Sequence, residues 1–298
     1  MAETFDRRLH PVRPELAAMS YKDKFDAAKF VTGKRMQVVA DVVDMRAAPS
    51  LSTGIDTQAL FGECLSIYEE TSDGWSWGQL ETDGYVGWFR SDAVAEPASP
   101  THRVRALRSY RYPGPDLKFP PLGLISIGSL VSVEKTVTTR GLEYAILNDG
   151  SAVVLKHLVS LEAAEQDWVS VAEEFLGTPY LWAGRSSLGL DCSALVQLSS
   201  QTVGHRLLRD SDMQEATAGH VVHNPDLKSL ERGDLVFWKG HVAIALDADN
   251  IIHANGATMT VAVEPTQAAL QRIAATEWGE VIAVRRLPKL PAVAEPQA

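Results

Sequence analysis

The sequence predicts a multidomain α+β chain, with two small antiparallel β-barrels followed by a larger α+β domain. Three observations carry this. Between Gln37 and Val94 short β-rich runs alternate with turn signals. A second set of such runs follows the linker Glu96-Pro97-Ala98-Ser99-Pro100. From Glu162 onward helical patterns give way to apolar runs of strand length. The implied boundaries are a lead-in over 1–33, a first barrel over 34–96, a second over 101–162, an α+β domain over 163–290 and a tail over 291–298.

In chain order, the lead-in carries Pro11 and Pro14 and a short helix is expected near Lys22 to Phe30. The first barrel is expected from Val38-Val39-Ala40, Leu65-Ser66-Ile67-Tyr68, Trp75 to Leu80 and Tyr85 to Phe89. Ser72-Asp73-Gly74 and Thr82-Asp83-Gly84 divide them as turns. Ser129 to Val133, Glu143 to Leu147 and Ala152 to Leu155, around Asn148-Asp149-Gly150, repeat that outline at a spacing of about sixty residues. The last domain reads as a helix from Trp168 to Leu176, a Gly-rich loop to Leu190, and a helix from Cys192 to near Gly204. Strands then follow at Leu235–Trp238, Val242–Leu246, around His253 and at Val281–Arg286. The Pro- and Ala-rich tail is expected to fray.

Composition bounds the function. The 298 residues are 45% hydrophobic and 22% charged, ordinary for a folded chain of two or three domains, and the net charge of −10 argues against a nucleic-acid partner. No run approaches the ~20 apolar residues of a membrane helix. The charged start, Met1 to His10, has no apolar core of the kind a secretory signal needs, so a cytoplasmic protein is expected. The two cysteines, Cys64 and Cys192, are then free thiols in a reducing compartment, with Cys64 a small core residue.

Cys192 is the residue with chemistry. It follows Asp191, precedes Ser193, and opens the apolar run Ala194 to Leu198, so it sits at a helix N-terminus. Unpaired N–H groups and the positive end of the dipole there favour an anion, and a Cys pKa can fall from ~8.5 to roughly 3.5–7.5. The same N–H groups suit a developing oxyanion. Downstream, His241 and His253 lie in strand-like runs separated by Asp247-Ala248-Asp249-Asn250. Cys, His, His in this order reads as nucleophile, general base and orienter of the base. Each residue alone is more often structural; their joint placement makes them candidates.

Other features take blander readings. His220 and His223 are solvated loop histidines rather than metal ligands, since no acidic or cysteine partner stands at a fitting spacing, and no metal or cofactor is expected. Trp75, Trp77 and Trp88 are barrel core. Arg105, Arg108 and Arg111 form a mild solvated basic face. Glu63, taken alone, is a surface charge.

Four segments in order carry a resemblance: Gly177-Thr178-Pro179-Tyr180-Leu181-Trp182-Ala183-Gly184, Leu190 to Val196, Arg232 to Ile244, and Ile252-His253-Ala254. Over roughly 165–287 the chain resembles the NlpC-type papain-like cysteine peptidases. The upstream units look like the SH3-like barrels of one subgroup, the γ-D-glutamyl-L-diamino-acid endopeptidases. The resemblance implies two SH3-like barrels ahead of a papain-like α+β catalytic domain. It makes Cys192 the nucleophile, His241 the base and His253 the residue holding its ring, with Tyr180 near the oxyanion. Glu63 and Tyr85 of the first barrel, with Asp191 and Ser193, would bind the free amine of an N-terminal L-Ala. Ala183 departs from the family, which usually has a second Gly there, and a methyl would narrow the loop. The second barrel matches less crisply and receives no binding role.

The expected function is hydrolysis of the γ-D-Glu to diamino-acid bond in small murein peptides during cytoplasmic recycling, with no nucleic-acid or membrane partner. The alternatives are a murein-peptide or partner-binding protein with an inactive catalytic domain, and an amidase or acyltransferase of the same fold.

Overall fold

The computed structural model describes residues 4–290, so the tail over 291–298, and Met1 to Glu3 of the lead-in, lie outside the described residues. The chain divides into two compact units, Met1–Leu161 and Glu162–Ala298.

The first unit is all β apart from single 3-10 turns. Its lead-in corrects an expectation: no helix forms over Lys22 to Phe30. Asp23 takes a left-handed φ of 71°, which interrupts any helical run, and the backbone bonds outward. The Ala28 N–H donates to Pro14 O and the Ala17 N–H to Lys29 O, so Phe30–Val31 lies parallel to Leu16–Ala18. Leu16 and Val31 pack on Trp75, Trp77, Val86 and Trp88, so the tryptophans are core. The Arg13 guanidinium stands 4.0 Å over the Trp77 ring.

Seven antiparallel strands follow in spatial order Val94–Ala95, Lys34–Val38, Cys64–Glu70, Trp75–Leu80, Val86–Arg90, Val42–Arg46 and Ile55–Leu60. Gly74 and Gly84 take φ of 82° and 77° in the two expected turns. Sequence reading missed Val42–Arg46 and Ile55–Leu60, although Pro49-Ser50 and Ser52-Thr53-Gly54 between them are turn signals.

The second β region is held in three separate ladders. His102–Val104 lies between Leu130–Val131 and Leu158–Ser160; Arg108–Arg111 pairs with Gly123–Ser126; and Val133–Thr139, Leu142–Leu147 and Ala152–Val154 form a meander. They share one core of Val104, Ile125, Val131, Ala145, Leu147, Val153 and Leu158. Arg111 is not a solvated charge as expected: it pairs with Asp41 at 3.0 Å and lies 4.4 Å over the Phe61 ring, because its stem can bury while its head keeps a carboxylate.

Among the described residues, the second unit places four helices around a six-stranded sheet, with a short hairpin of Arg185–Ser186 and Gly189–Leu190 beside it. The helices are α1 (Trp168–Glu174), α2 (Cys192–Gln201), α3 (Ser211–Thr217) and α4 (Thr266–Ala274). The strands are β1 (His220–Val221), β2 (Asp234–Trp238), β3 (His241–Ala245), β4 (Asn250–Asn255), β5 (Thr260–Pro265) and β6 (Ala283–Arg286), in spatial order β1-β6-β2-β3-β4-β5 and antiparallel throughout. One face packs Val236, Trp238, Ala243, Ala245, Ile251 and Val284 against Ala269 and Ile273 of α4. The runs β2 to β4 are continuously apolar because helices cover them, and period-2 alternation is lost for the same reason. His220 lies on β1, not in a loop, and both it and His223 are exposed.

Candidate active site

Asp191 is the N-cap of α2. Its Oδ1 accepts from the Ala194 N–H at 2.9 Å, which holds Cys192 as the first residue of the helix. Cys192 is a free, buried thiol. Its sulfur accepts from the backbone N–H of Val242 on β3 and of Ser193, so the thiol lies against the start of the strand that carries His241.

The expectation of a depressed Cys192 pKa is corrected. Burial pushes the thiol up to about 12, the Asp191 carboxylate adding to it and the two N–H donors and Arg209 opposing it only in part. Burial is the main reason, and the carboxylate that caps the helix adds to it rather than leaving the helix end free to favour a thiolate.

His241 begins β3 and His253 sits in β4. The pairing of Ile244 with Ile252 puts both histidines on one face of the sheet. His241 Nε2 lies 2.8 Å from His253 Nδ1, with the ring centroids 5.0 Å apart. That contact uses Nε2 of His241 and leaves Nδ1 outside it. Burial, then the neighbouring His253 and Arg272, holds the His241 imidazole down to about 3, with Glu264 pulling the other way. Thiol and imidazole are therefore both neutral at rest.

Glu264 was missed by sequence reasoning. It stands on β5 opposite Ile251, diagonal to His253, and its Oε2 is 2.9 Å from His253 Nε2. Arg272 of α4 pairs with the same carboxylate oxygen. The hydrogen bond from His253, then that from Arg272, holds Glu264 down to about 2. A lone Glu in an alternating edge strand gives no sequence signal; only the strand register brings it under His253.

Arg209 was also missed. Its side chain is wholly buried, and it donates to Asp191 Oδ1 and Oδ2 at 2.9 and 2.8 Å, to Ser193 Oγ at 2.9 Å and to Gly184 O at 3.0 Å. Asp191 and Ser193 are thus together, as expected, but around a guanidinium that already offsets the carboxylate charge.

Tyr180 is carried by the loop over 177–190, tied by its N–H to Met259 O at 2.8 Å. Burial raises its pKa, and the charges of Cys192 and Asp191 add to the rise, so the phenol stays protonated. Ala183 explains the usual glycine in this loop: its φ is 60°, so the demand is on the backbone rather than on space. At Gly184 the demand is space, since a Cβ would meet Gly189 O at 2.6 Å.

Glu63 and Tyr85, in the first unit, are each 2% exposed. Glu63 is no solvated surface charge: its Oε2 accepts from the Leu60 N–H at 2.7 Å and its Oε1 from Thr82 Oγ1 at 2.6 Å.

A thiol at a capped helix end, against the strand that opens on an imidazole with one nitrogen engaged, is the equipment for acyl transfer through sulfur. The chain is a cysteine peptidase. Residues 177–276 match the NlpC/P60 family and residues 45–94 the bacterial dipeptidyl-peptidase Sh3 domain. Among curated proteins, the chain is 26% identical over 243 residues to a gamma-D-glutamyl-L-lysine dipeptidyl-peptidase of Bacillus cereus, covering 71% of this chain and 70% of the relative. It is 23% identical to dipeptidyl-peptidase 6 of Lysinibacillus sphaericus, covering 73% of this chain and 86% of that one. A crystal structure of an NlpC/P60 family protein from Bacillus cereus shares the fold, with a TM-score of 0.69 at 20% identity over 87% of this chain and 100% of that chain. The chain therefore carries an NlpC/P60 cysteine peptidase domain over residues 177–276 and a bacterial SH3 domain over residues 45–94.

Proposed function

We propose that this peptidase hydrolyses the γ-D-Glu to diamino-acid bond of peptidoglycan-derived peptides that carry a free N-terminal L-Ala. The names of its relatives support the bond class, and the line from His241 to His253 beside the Cys192 helix supports the chemistry. Cys192 is the nucleophile, His241 the base and His253 the residue that holds its ring. His241 Nδ1 takes the thiol proton as Cys192 Sγ attacks the γ-carbonyl carbon. The oxyanion is stabilised by the Cys192 N–H with Tyr180. His241 returns the proton to the leaving amine of the diamino acid, leaving a thioester that water then hydrolyses.

For the N-terminal amine, the resemblance assigns Asp191, Ser193, Glu63 and Tyr85. We also read the two β regions of the first unit as two SH3-like barrels. The net charge of −10 offers no attraction to an anionic wall, which favours small released peptides and a cytoplasmic recycling role over the intact polymer.

The test compares L-Ala-γ-D-Glu-diaminopimelate with its N-acetyl derivative. Acetylation removes the cation and adds bulk, so kcat/KM is expected to fall by at least ~100-fold, as when a site built for a polar group loses it. Glu63→Ala should weaken cleavage of the free amine and shrink that difference. Equal cleavage of both peptides, or of intact peptidoglycan, rejects the free-amine reading.

A further inference from the structure

His253 is the most buried member of the histidine line, at 0% exposure, and both of its ring nitrogens are engaged: Nδ1 with His241 and Nε2 with Glu264. No solvent reaches the ring to settle which nitrogen carries the proton. A neutral imidazole has one donor and one acceptor nitrogen, so its two partners decide between them. An ionised carboxylate can only accept. With Glu264 ionised, the His253 proton is on Nε2, His253 Nδ1 is an acceptor, and His241 Nε2 must then be the donor across the 2.8 Å contact. That leaves the lone pair of His241 on Nδ1. The opposite arrangement, with the proton on His253 Nδ1, would put a donor against His241 Nε2 and force the His241 proton onto Nδ1, leaving no base there.

Arg272 is well placed to keep Glu264 in this role. It reaches from α4 to the same Oε2 that faces His253. Glu264 itself is placed by register: β5 pairs Ala262 with His253, and Glu264 is two residues further along on the same face.

We propose that Glu264, held by Arg272, is a positioning residue that sets the tautomer of His253 and, through it, of His241, so that the lone pair of His241 stays on Nδ1. The kinetic part of this inference rests on the peptidase reading above; the tautomer part does not.

The experiment begins on the full chain without substrate, with histidines labelled by ¹⁵N and long-range ¹H–¹⁵N spectra recorded near pH 7. His253 and His241 are both expected as the Nε2–H form. In Glu264→Leu the two rings should show mixed tautomers, while Glu264→Gln, whose amide oxygen still accepts, should keep most of the Nε2–H form and guards against a Leu variant that fails to fold. A His253 proton on Nδ1 in the wild-type protein overturns the proposal, whatever the peptide assay shows.

In the kinetic arm, Glu264→Leu should lower kcat roughly tenfold or more with KM within about twofold, since the tautomer matters to the proton transfer and not to substrate binding. Glu264→Gln should recover much of that loss. In a His253→Gln background, where residue 253 has no tautomer to set, Glu264→Leu should cost no more than about twofold. The same loss in both backgrounds means that Glu264 only supports the fold, and overturns the proposal.

Discussion

Arg209 grips Asp191 through two parallel hydrogen bonds of 2.9 and 2.8 Å, and does so with a side chain that no solvent reaches. Asp191 is at once the cap of α2 and the acceptor of a buried cation. A charge that would otherwise raise the Cys192 thiol further is thereby partly cancelled, and the loop bearing Tyr180 is tied to the helix through Gly184 O.

Arg209→Leu should therefore be costly. Removing one partner of a buried pair leaves an uncompensated carboxylate, worth about 3–5 kcal/mol of stability. Adding Asp191→Asn should restore part of it. Urea unfolding of the single and double variants checks this, and additive losses would show that the pair is not coupled.

Cys192→Ala should abolish turnover while leaving the melting temperature nearly unchanged, because it removes one sulfur and no cap. Cys64→Ala should remain active. Cys64 is buried on a β-strand of the first unit, away from the helix that opens on Cys192 in sequence and in unit. Product analysis by mass decides both, and hydrolysis by Cys192→Ala would sink the mechanism.

The neutral resting pair predicts how the thiol responds to pH. With His241 as base, alkylation of Cys192 by iodoacetamide should proceed near neutral pH. In His241→Ala the thiol has only its own acidity, raised to about 12, so labelling should be slow at pH 7 and climb steadily into the alkaline range. Fast labelling of that variant at neutral pH would mean the thiolate exists without the histidine.

Stability should fall on the acid side for a definite reason. His241 has its folded pKa held down to about 3, below the ~6.5 of an unfolded chain, so between those values the unfolded state binds the extra proton. Stability is lost as pH falls through that window, at up to about 1.4 kcal/mol per pH unit from this residue, and the partial exposure of His241 keeps it below that ceiling. His241→Gln should flatten the slope of unfolding free energy against pH over pH 3–6.5.

If His253 acts by accepting from His241, then His253→Gln, with an amide oxygen, should retain more activity than His253→Ala, and His241→Asn should be worse than either. Equal losses at positions 241 and 253 in steady-state rates would mean that His253 does more than orient.

Ala183→Gly offers a check on the loop. Its left-handed φ costs a non-glycine residue roughly 1–2 kcal/mol, offset in part by the greater freedom that glycine has when unfolded. A net gain of up to about 1 kcal/mol in thermal unfolding is expected, and a loss would show that the methyl packs usefully.

Several elements were legible because their signals are local. The turns at Gly74 and Gly84 need φ above zero, which glycine supplies. The α2 boundary is written in Asp191 followed by an apolar run, and the nucleophile and histidine candidates follow from their residue types and order. The missing helix over Lys22 to Phe30 was not legible. Its backbone donors bond to Pro14 and to strand neighbours, and helical propensity is a weak prior against tertiary pairing.

By itself, then, the sequence determined the order of units and the helix that opens on Cys192, and it supplied the candidates for nucleophile and base, since these depend on composition and near-neighbour spacing. Only the tertiary structure decided which charges surround them. Arg209 reaches Asp191 from 18 residues away and Glu264 reaches His253 across a strand pair, and both contacts arise from packing and register rather than from any local pattern. The acidity of the thiol followed the same rule: a helix end favours the thiolate, but burial and the capping carboxylate outweigh it, and neither can be weighed before the chain is folded.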